Sequence, residues 1–170
     1  MSTFFDTNVL VYAFDRGAGQ RHAVADAVLA QHLIARTLVI STQVLLETYS
    51  VLTRKKGVRP DVALTGLSAL AQEKVVPASA DFVLRSMATS QRHQLSIWDA
   101  LILQAALDAG CDALLSEDLQ AGQRFGTLEV VNPFAPGAHD VPPAAYGSQP
   151  APSNTARKRA AAKPSPPGKR

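Results

Sequence analysis

Asp6, Glu47, Asp99 and Asp118 are the acidic residues whose sequence surroundings call for an explanation. Asp6 directly follows Phe4-Phe5, and Asp118 follows Leu114-Leu115-Ser116-Glu117. Each would stand just past the carboxyl end of a short strand, where it could also cap the next turn. Asp99 lies in Ile97-Trp98-Asp99-Ala100-Leu101-Ile102-Leu103, apolar around almost its whole circumference, so this helix is expected to be buried. A carboxylate there needs a cation or several donors. Ser96, three residues earlier, offers an acidic variant of the capping box. Capping and metal binding are compatible, because a first-turn position faces the end of a sheet. Glu47 falls at the margin of the apolar face made by Val44 and Val51. Its helical neighbours Gln43, Val44, Ser50 and Val51 include no Lys or Arg to pair with it. A solvated edge position would also suit it. Brought together, these acids form an all-oxygen set fitted to Mg²⁺ or Mn²⁺, and their mutual repulsion would call for such a cation.

The elements that must position them alternate between strand and helix. Thr3–Phe5, Leu38–Ile40, Lys74–Val76, Ala113–Leu115 and Leu128–Val131 read as short strands. Helical patterns cover 8–14, 20–35, 42–55, 60–72, 80–93 and 97–109, with Pro60 opening one helix and Gly110 ending another. In the second helix Ala23, Ala27, Ala30 and Ile34 recur at helical spacing and predict its buried face. In the third, Val44, Leu45, Thr48, Val51 and Leu52 do the same. Such alternation predicts an α/β fold with a parallel sheet covered on both faces. Ligands then bind beyond the carboxyl ends of the strands, at the switch in strand order.

These residues carry a family resemblance. Phe4-Phe5-Asp6-Thr7-Asn8-Val9-Leu10-Val11-Tyr12 resembles the opening of PIN-domain nucleases. So do Glu47 inside the third helix, Ile97-Trp98-Asp99-Ala100, and Leu114-Leu115-Ser116-Glu117-Asp118-Leu119, in that order and ending in Val131-Asn132-Pro133-Phe134. As far as Phe134 the chain resembles VapC-type ribonuclease toxins of toxin–antitoxin pairs. The resemblance implies a PIN-like three-layer α/β fold whose five-stranded parallel sheet has the order 3-2-1-4-5. It also implies metal-dependent RNA hydrolysis leaving a 3′-hydroxyl and a 5′-phosphate, a homodimer, and inhibition by a small antitoxin protein. Its catalytic acids fall on Asp6, Glu47, Asp99 and Asp118. Asp6 and Asp99 would be the first metal ligands, and Asp118 would complete the site directly or through water. Glu47 would hold a second metal or orient the attacking water. The family's last motif is Ser or Thr, any residue, then Asp, so Ser116 and Asp118 match. Glu117 takes the variable place, and its own carboxylate leaves the choice between 117 and 118 open. Thr7, Asn8 and Ser116 are expected to hold the carboxylates by hydrogen bonds.

Composition bounds the reading. The chain has 170 residues, 46% hydrophobic and 18% charged, enough for one ordinary domain. No apolar run is long enough for a membrane span, no basic leader precedes an apolar stretch, and a cytoplasmic protein is expected. The single cysteine, Cys111, excludes a disulfide framework or a cysteine zinc cluster and reads as structural. His22, His32, His93 and His139 lack mutual ligand spacing and read as surface or helix-end residues. Arg54-Lys55-Lys56 suits the negative end of its helix and could also hold a phosphate. The formal charge of +3 divides unevenly: residues 1–134 carry 11 bases against 13 acids, and residues 135–170 carry six bases against Asp140. Eight of the 11 prolines also fall after residue 134. A nuclease-like domain over 1–134 and a disordered, basic, Pro/Ala-rich tail over 135–170 are therefore expected. Two other functions remain open. One is a catalytically inactive domain of this kind that binds RNA or an antitoxin. The other is a phosphatase-like domain with Asp6 as nucleophile, although Asn8 stands where the second aspartate of haloacid-dehalogenase-like enzymes would be.

Overall fold

The computed structural model describes residues 1–135. Residues 136–170, which hold almost all of the expected tail and His139, lie outside the described residues. In chain order the elements begin with β1 (Thr3–Phe5), α1 (Thr7–Phe14), a 3₁₀ turn at Arg16–Ala18 and α2 (Gln20–Ala35). Then come β2 (Leu38–Ser41), α3 (Thr42–Arg54), α4 (Pro60–Leu70) and β3 (Lys74–Val76). The last are α5 (Ala80–His93), α6 (Ile97–Asp108), β4 (Ala113–Leu115), β5 (Arg124–Phe125) and β6 (Leu128–Val131). The sheet order is β3-β2-β1-β4-β6-β5. The first five of these strands pair in parallel, and β5 pairs antiparallel with β6. The expected 3-2-1-4-5 order thus holds, with β6 as the fifth parallel strand.

The extra edge strand is a correction. Arg124–Phe125 is too short to show alternation, yet Gly126 at φ +65° turns it back so that Phe125 faces Leu128 across a two-residue loop. A second correction concerns α2. Its buried residues are Ala25, Leu29 and His32, whereas Ile34 is 85% exposed and Ala23, Ala27 and Ala30 are also exposed. Alanine gains little from either side, so the larger Leu29 sets which face turns inward. His32 is likewise a helix-end residue that is buried rather than at the surface. Its ring meets the edge of Phe5 at 5.2 Å, and Nδ1 lies 2.7 Å from Thr37 Oγ1. Burial lowers its pKa, favouring the neutral ring.

Parallel crossovers are right-handed. The chain steps outward from β1 to β2 to β3, which puts α1–α4 on one face. It then crosses back to β4, which puts α5 and α6 on the other. The packing agrees: α1 meets α2 and α3, α3 meets α4, and α5 meets α6. Between the layers Phe4, Phe5, Ile40, Leu103, Leu114 and Leu115 are essentially removed from water. In α4, Gly66 lets the helix approach α1, because a Cβ there would lie 2.5 Å from Cε1 of Phe14. Gly66→Ala should therefore lower the melting temperature. Overpacking costs about 1–3 kcal/mol, which exceeds the roughly 0.5–1 kcal/mol that alanine adds to a helix. A raised melting temperature would mean that the Phe14 ring swings clear freely.

Candidate active site

The strand order reverses between β1 and β4, and the carboxyl ends of these two strands build the site. Their register pairs Phe5 with Leu115, and Asp6 N–H donates to Leu115 O at 3.0 Å, so Asp6 and Ser116 leave the sheet side by side. Ser116, wholly buried, donates through Oγ to Asp6 Oδ2 at 2.6 Å and accepts from the N–H of Asp118 at 3.2 Å. One hydroxyl therefore joins the two acid-bearing strand ends. Thr7 N–H donates to Asp6 Oδ1 at 2.6 Å, so Asp6 also caps α1. Burial raises the Asp6 carboxyl from 3.8 to about 6. The Ser116 and Thr7 hydrogen bonds oppose that rise, and the charges of Asp118 and Glu47 add to it.

The other acids arrive from helices and from the loop after β4. Ser41 ends β2 and caps α3 by accepting from Val44 N–H at 3.3 Å, which starts that helix at the sheet edge and places Glu47 in its second turn. Glu47 Oε2 accepts from Thr7 Oγ1 at 2.7 Å and Oε1 from Gln43 Nε2 at 2.9 Å. Ser96 caps α6: Asp99 N–H donates to Ser96 Oγ at 3.1 Å, and that hydroxyl donates to Asp99 Oδ2 at 2.7 Å. Asn8 Nδ2 donates to Asp118 Oδ2 at 3.0 Å. Glu117 turns elsewhere. Tyr12 OH donates to its Oε1 at 2.8 Å and Arg21 pairs with its Oε2 at 2.7 Å, while the Arg21 guanidinium lies over the Tyr12 and Phe134 rings.

Asp6, Glu47, Asp99 and Asp118 line a single cavity of about 350 Å³ with Thr7 and Asn8. Among the described residues no three Asp, Glu, His or Cys side chains are grouped closely enough to hold a metal ion. Neutral donors engage each of the four acids, and mutual repulsion keeps anions apart. The donor chemistry nonetheless fits a hard cation. All the acidic ligands are oxygen, and burial without a counter-charge leaves Asp6 hard to ionise. Two further cavity residues, Asn8 and Gln43, have a buried amide oxygen with no hydrogen-bond partner. A hydrated Mg²⁺ or Mn²⁺ would satisfy these groups together.

Sequence reasoning gave no site role to Tyr12, Gln43 and Trp98, which line the same cavity, as does Lys56, one of the bases that could hold a phosphate. Gln43 stands four residues before Glu47, a spacing that favours the contact observed. Lys56 follows the helix end, pairs with Asp15 at 2.8 Å and lines the cavity. Trp98 belongs to a run expected to be buried, but it is exposed. Cys111 is buried and its thiol is pushed up to about 12, so it is chemically quiet, as expected of a structural residue.

A mostly parallel sheet with acids gathered at its β1–β4 switch point is the arrangement of a PIN domain, and residues 3–123 match the PIN domain as a sequence family. The chain belongs to the PIN-domain family. Among solved structures it is similar to VapC20 of Mycobacterium tuberculosis, described as a sarcin-ricin loop cleaving toxin, with 22% identity and a TM-score of 0.55 over 66% of this chain and 87% of that one. A toxin–antitoxin complex from Klebsiella pneumoniae gives 25% identity and a TM-score of 0.56 over 78% and 98%. VapBC2 from Rickettsia felis, bound to a DNA fragment from its promoter, gives 19% and 0.52 over 76% and 97%. No curated protein matches the chain in sequence. No helix among the described residues is long and apolar enough to cross a membrane.

Proposed function

We propose that the chain is a Mg²⁺- or Mn²⁺-dependent endoribonuclease, the toxin of a toxin–antitoxin pair. The observation that carries this reading is the cavity at the β1–β4 switch point, which Asp6, Glu47, Asp99 and Asp118 all line and where they are held by neutral donors rather than bases. Asp6, Asp99 and Asp118 would hold the metal, with Glu47 binding a second ion or orienting the attacking water. A bound divalent ion supplies a water of lowered pKa and neutralises charge on the scissile phosphate. Ser116 and Thr7 fix both oxygens of Asp6, Asn8 fixes Asp118, and Gln43 and Thr7 fix Glu47, so the carboxylates are oriented before substrate arrives. Asn8 stands where the phosphatase-like chemistry would need a second aspartate, which speaks against that alternative. Labelled RNA should be cut in Mg²⁺ or Mn²⁺ and left whole in chelator, with products ending in 3′-hydroxyl and 5′-phosphate. Metal binding without cleavage would instead favour an inactive domain that binds RNA or an antitoxin.

The family resemblance also suggests a cytoplasmic homodimer bound by a small antitoxin protein. The similar Klebsiella structure is a toxin–antitoxin complex, which supports an antitoxin partner. Copurification of the product of an adjacent gene would test it.

The bases after residue 134 would draw RNA toward a domain that is itself net negative. If Arg157, Lys158, Arg159, Lys163, Lys169 and Arg170 all met phosphates, neutralising them should flatten the slope of log affinity against log salt by roughly 4, at about 0.7 per single-strand phosphate. Turnover of bound RNA should not change. Equal slopes for the two proteins would exclude the segment from substrate capture.

A further inference from the structure

Trp98 is the chain's only tryptophan, and its indole stands 61% exposed. It occupies the second position of α6, between the cap Ser96 and the acid Asp99, and lines the cavity that holds all the carboxylates. An indole left in water forgoes the burial that normally stabilises so large an apolar ring. The ring stacks and cation–π contacts found among the described residues involve Phe5, Tyr12, Phe125 and Phe134 but not Trp98. The same cavity has Lys56 on its wall, whose ammonium pairs with Asp15 at 2.8 Å. An apolar protein segment seated on Trp98 would cover the neighbouring carboxylates without pairing them. A nucleotide would not: its base offers a flat face to the indole, and its phosphate brings cations to the acids and can take the Lys56 ammonium.

We propose that Trp98 is a stacking platform for an unpaired base next to the phosphate that is cut, which makes it a substrate-positioning residue of this site. Aromatic platforms of this kind are sequence-tolerant, since every base has a π-face. The inference rests on the ribonuclease reading above, adding a residue that positions the substrate, and its test is a binding measurement made where no cleavage occurs.

Because there is no other tryptophan, the intrinsic indole fluorescence of the full chain reports on this residue alone. In buffer with Ca²⁺ as the divalent ion, a short oligoadenylate should quench that fluorescence saturably. An abasic ribose-phosphate chain of the same length should bind more weakly and leave the signal unchanged. By fluorescence anisotropy of end-labelled oligoadenylate, Trp98→Ala should weaken binding by roughly thirtyfold, the middle of the range for losing one stacked base. Trp98→Phe should recover most of that loss. Trp98 is exposed, so both variants should melt close to wild type. Unquenched binding, or Trp98→Ala binding as tightly as wild type, would overturn the proposal. So would fluorescence that follows protein concentration and ignores RNA, which would place Trp98 between two copies of the chain. Quenching by oligoadenylate in a protein that never cuts RNA would support the platform while refuting the nuclease. Cleavage in Mg²⁺ without quenching would do the reverse.

Discussion

Asp6→Asn should abolish RNA cleavage and at the same time raise the melting temperature of the metal-free protein at neutral pH. The loss of activity should exceed roughly a hundredfold, the upper end of what removing an outer-sphere partner costs a metal site. The gain in stability follows from the Asp6 carboxyl, which burial raises to about 6 in the folded chain from an ordinary 3.8. Between those values the native state holds more protons than the unfolded one, so stability falls as pH rises toward 6 and is flat above it. At neutral pH the ionised carboxylate then costs about 3 kcal/mol. An asparagine removes that cost, less whatever it forfeits in hydrogen bonds to Ser116 Oγ and Thr7 N–H. Melting curves of both proteins in chelator from pH 4 to 8 test the sign: wild type should lose stability with rising pH and Asp6→Asn should not. Saturating Mn²⁺ should reverse the ranking, since an ion at about a thousand times its Kd adds about 4.1 kcal/mol to the protein that binds it. A variant that cuts RNA at the wild-type rate would remove Asp6 from the site.

Asp99 separates two roles that the sequence leaves superimposed. Its N–H is donated to Ser96 Oγ and its carboxylate accepts from that hydroxyl, yet the side chain also lines the cavity. If the cap is carried by Ser96 and the chemistry by Asp99, the two substitutions should divide cleanly. Ser96→Ala should cost about 1 kcal/mol of stability, as for other lost caps, with cleavage kept within about tenfold. Asp99→Asn should leave the melting temperature nearly unchanged, because the backbone donation to Ser96 persists, and should reduce cleavage at least about a hundredfold. Cleavage rates set beside melting curves for both variants decide it. An Asp99→Asn protein that fails to fold would assign the carboxylate to the helix cap instead.

What could be read in advance depended on how far each signal was local. Phe4-Phe5 before Asp6, Ser96 before Asp99 and Gly110 after α6 are short-range signals, and β1, the α6 cap and the helix end fall where they indicate. The strand order needed the family resemblance, since nothing local says that β4 lies beside β1. The buried face of α2 was misread because an alanine-rich helix offers competing stripes, and tertiary packing chose Leu29. The contacts between Asn8 and Asp118 and between Ser116 and Asp6 join residues 110 apart in the chain. Their residues could be named as donors, but their partners could not. The choice between Glu117 and Asp118 was likewise closed to local reasoning. It depends on Tyr12 and Arg21, which take Glu117 away from the cavity that Asp118 lines.

On the reading proposed above, these carboxylates hold a divalent ion that supports the cutting of RNA. The most direct test is a Mn²⁺ titration of the full chain in which bound ion is followed by electron paramagnetic resonance while RNA cleavage is measured in the same samples. Cleavage should rise with occupancy of a saturable site, and Asp6→Asn should lose both together. Cleavage that continues undiminished in chelator, or a saturated Mn²⁺ site with no cleavage of any RNA offered, would contradict that reading.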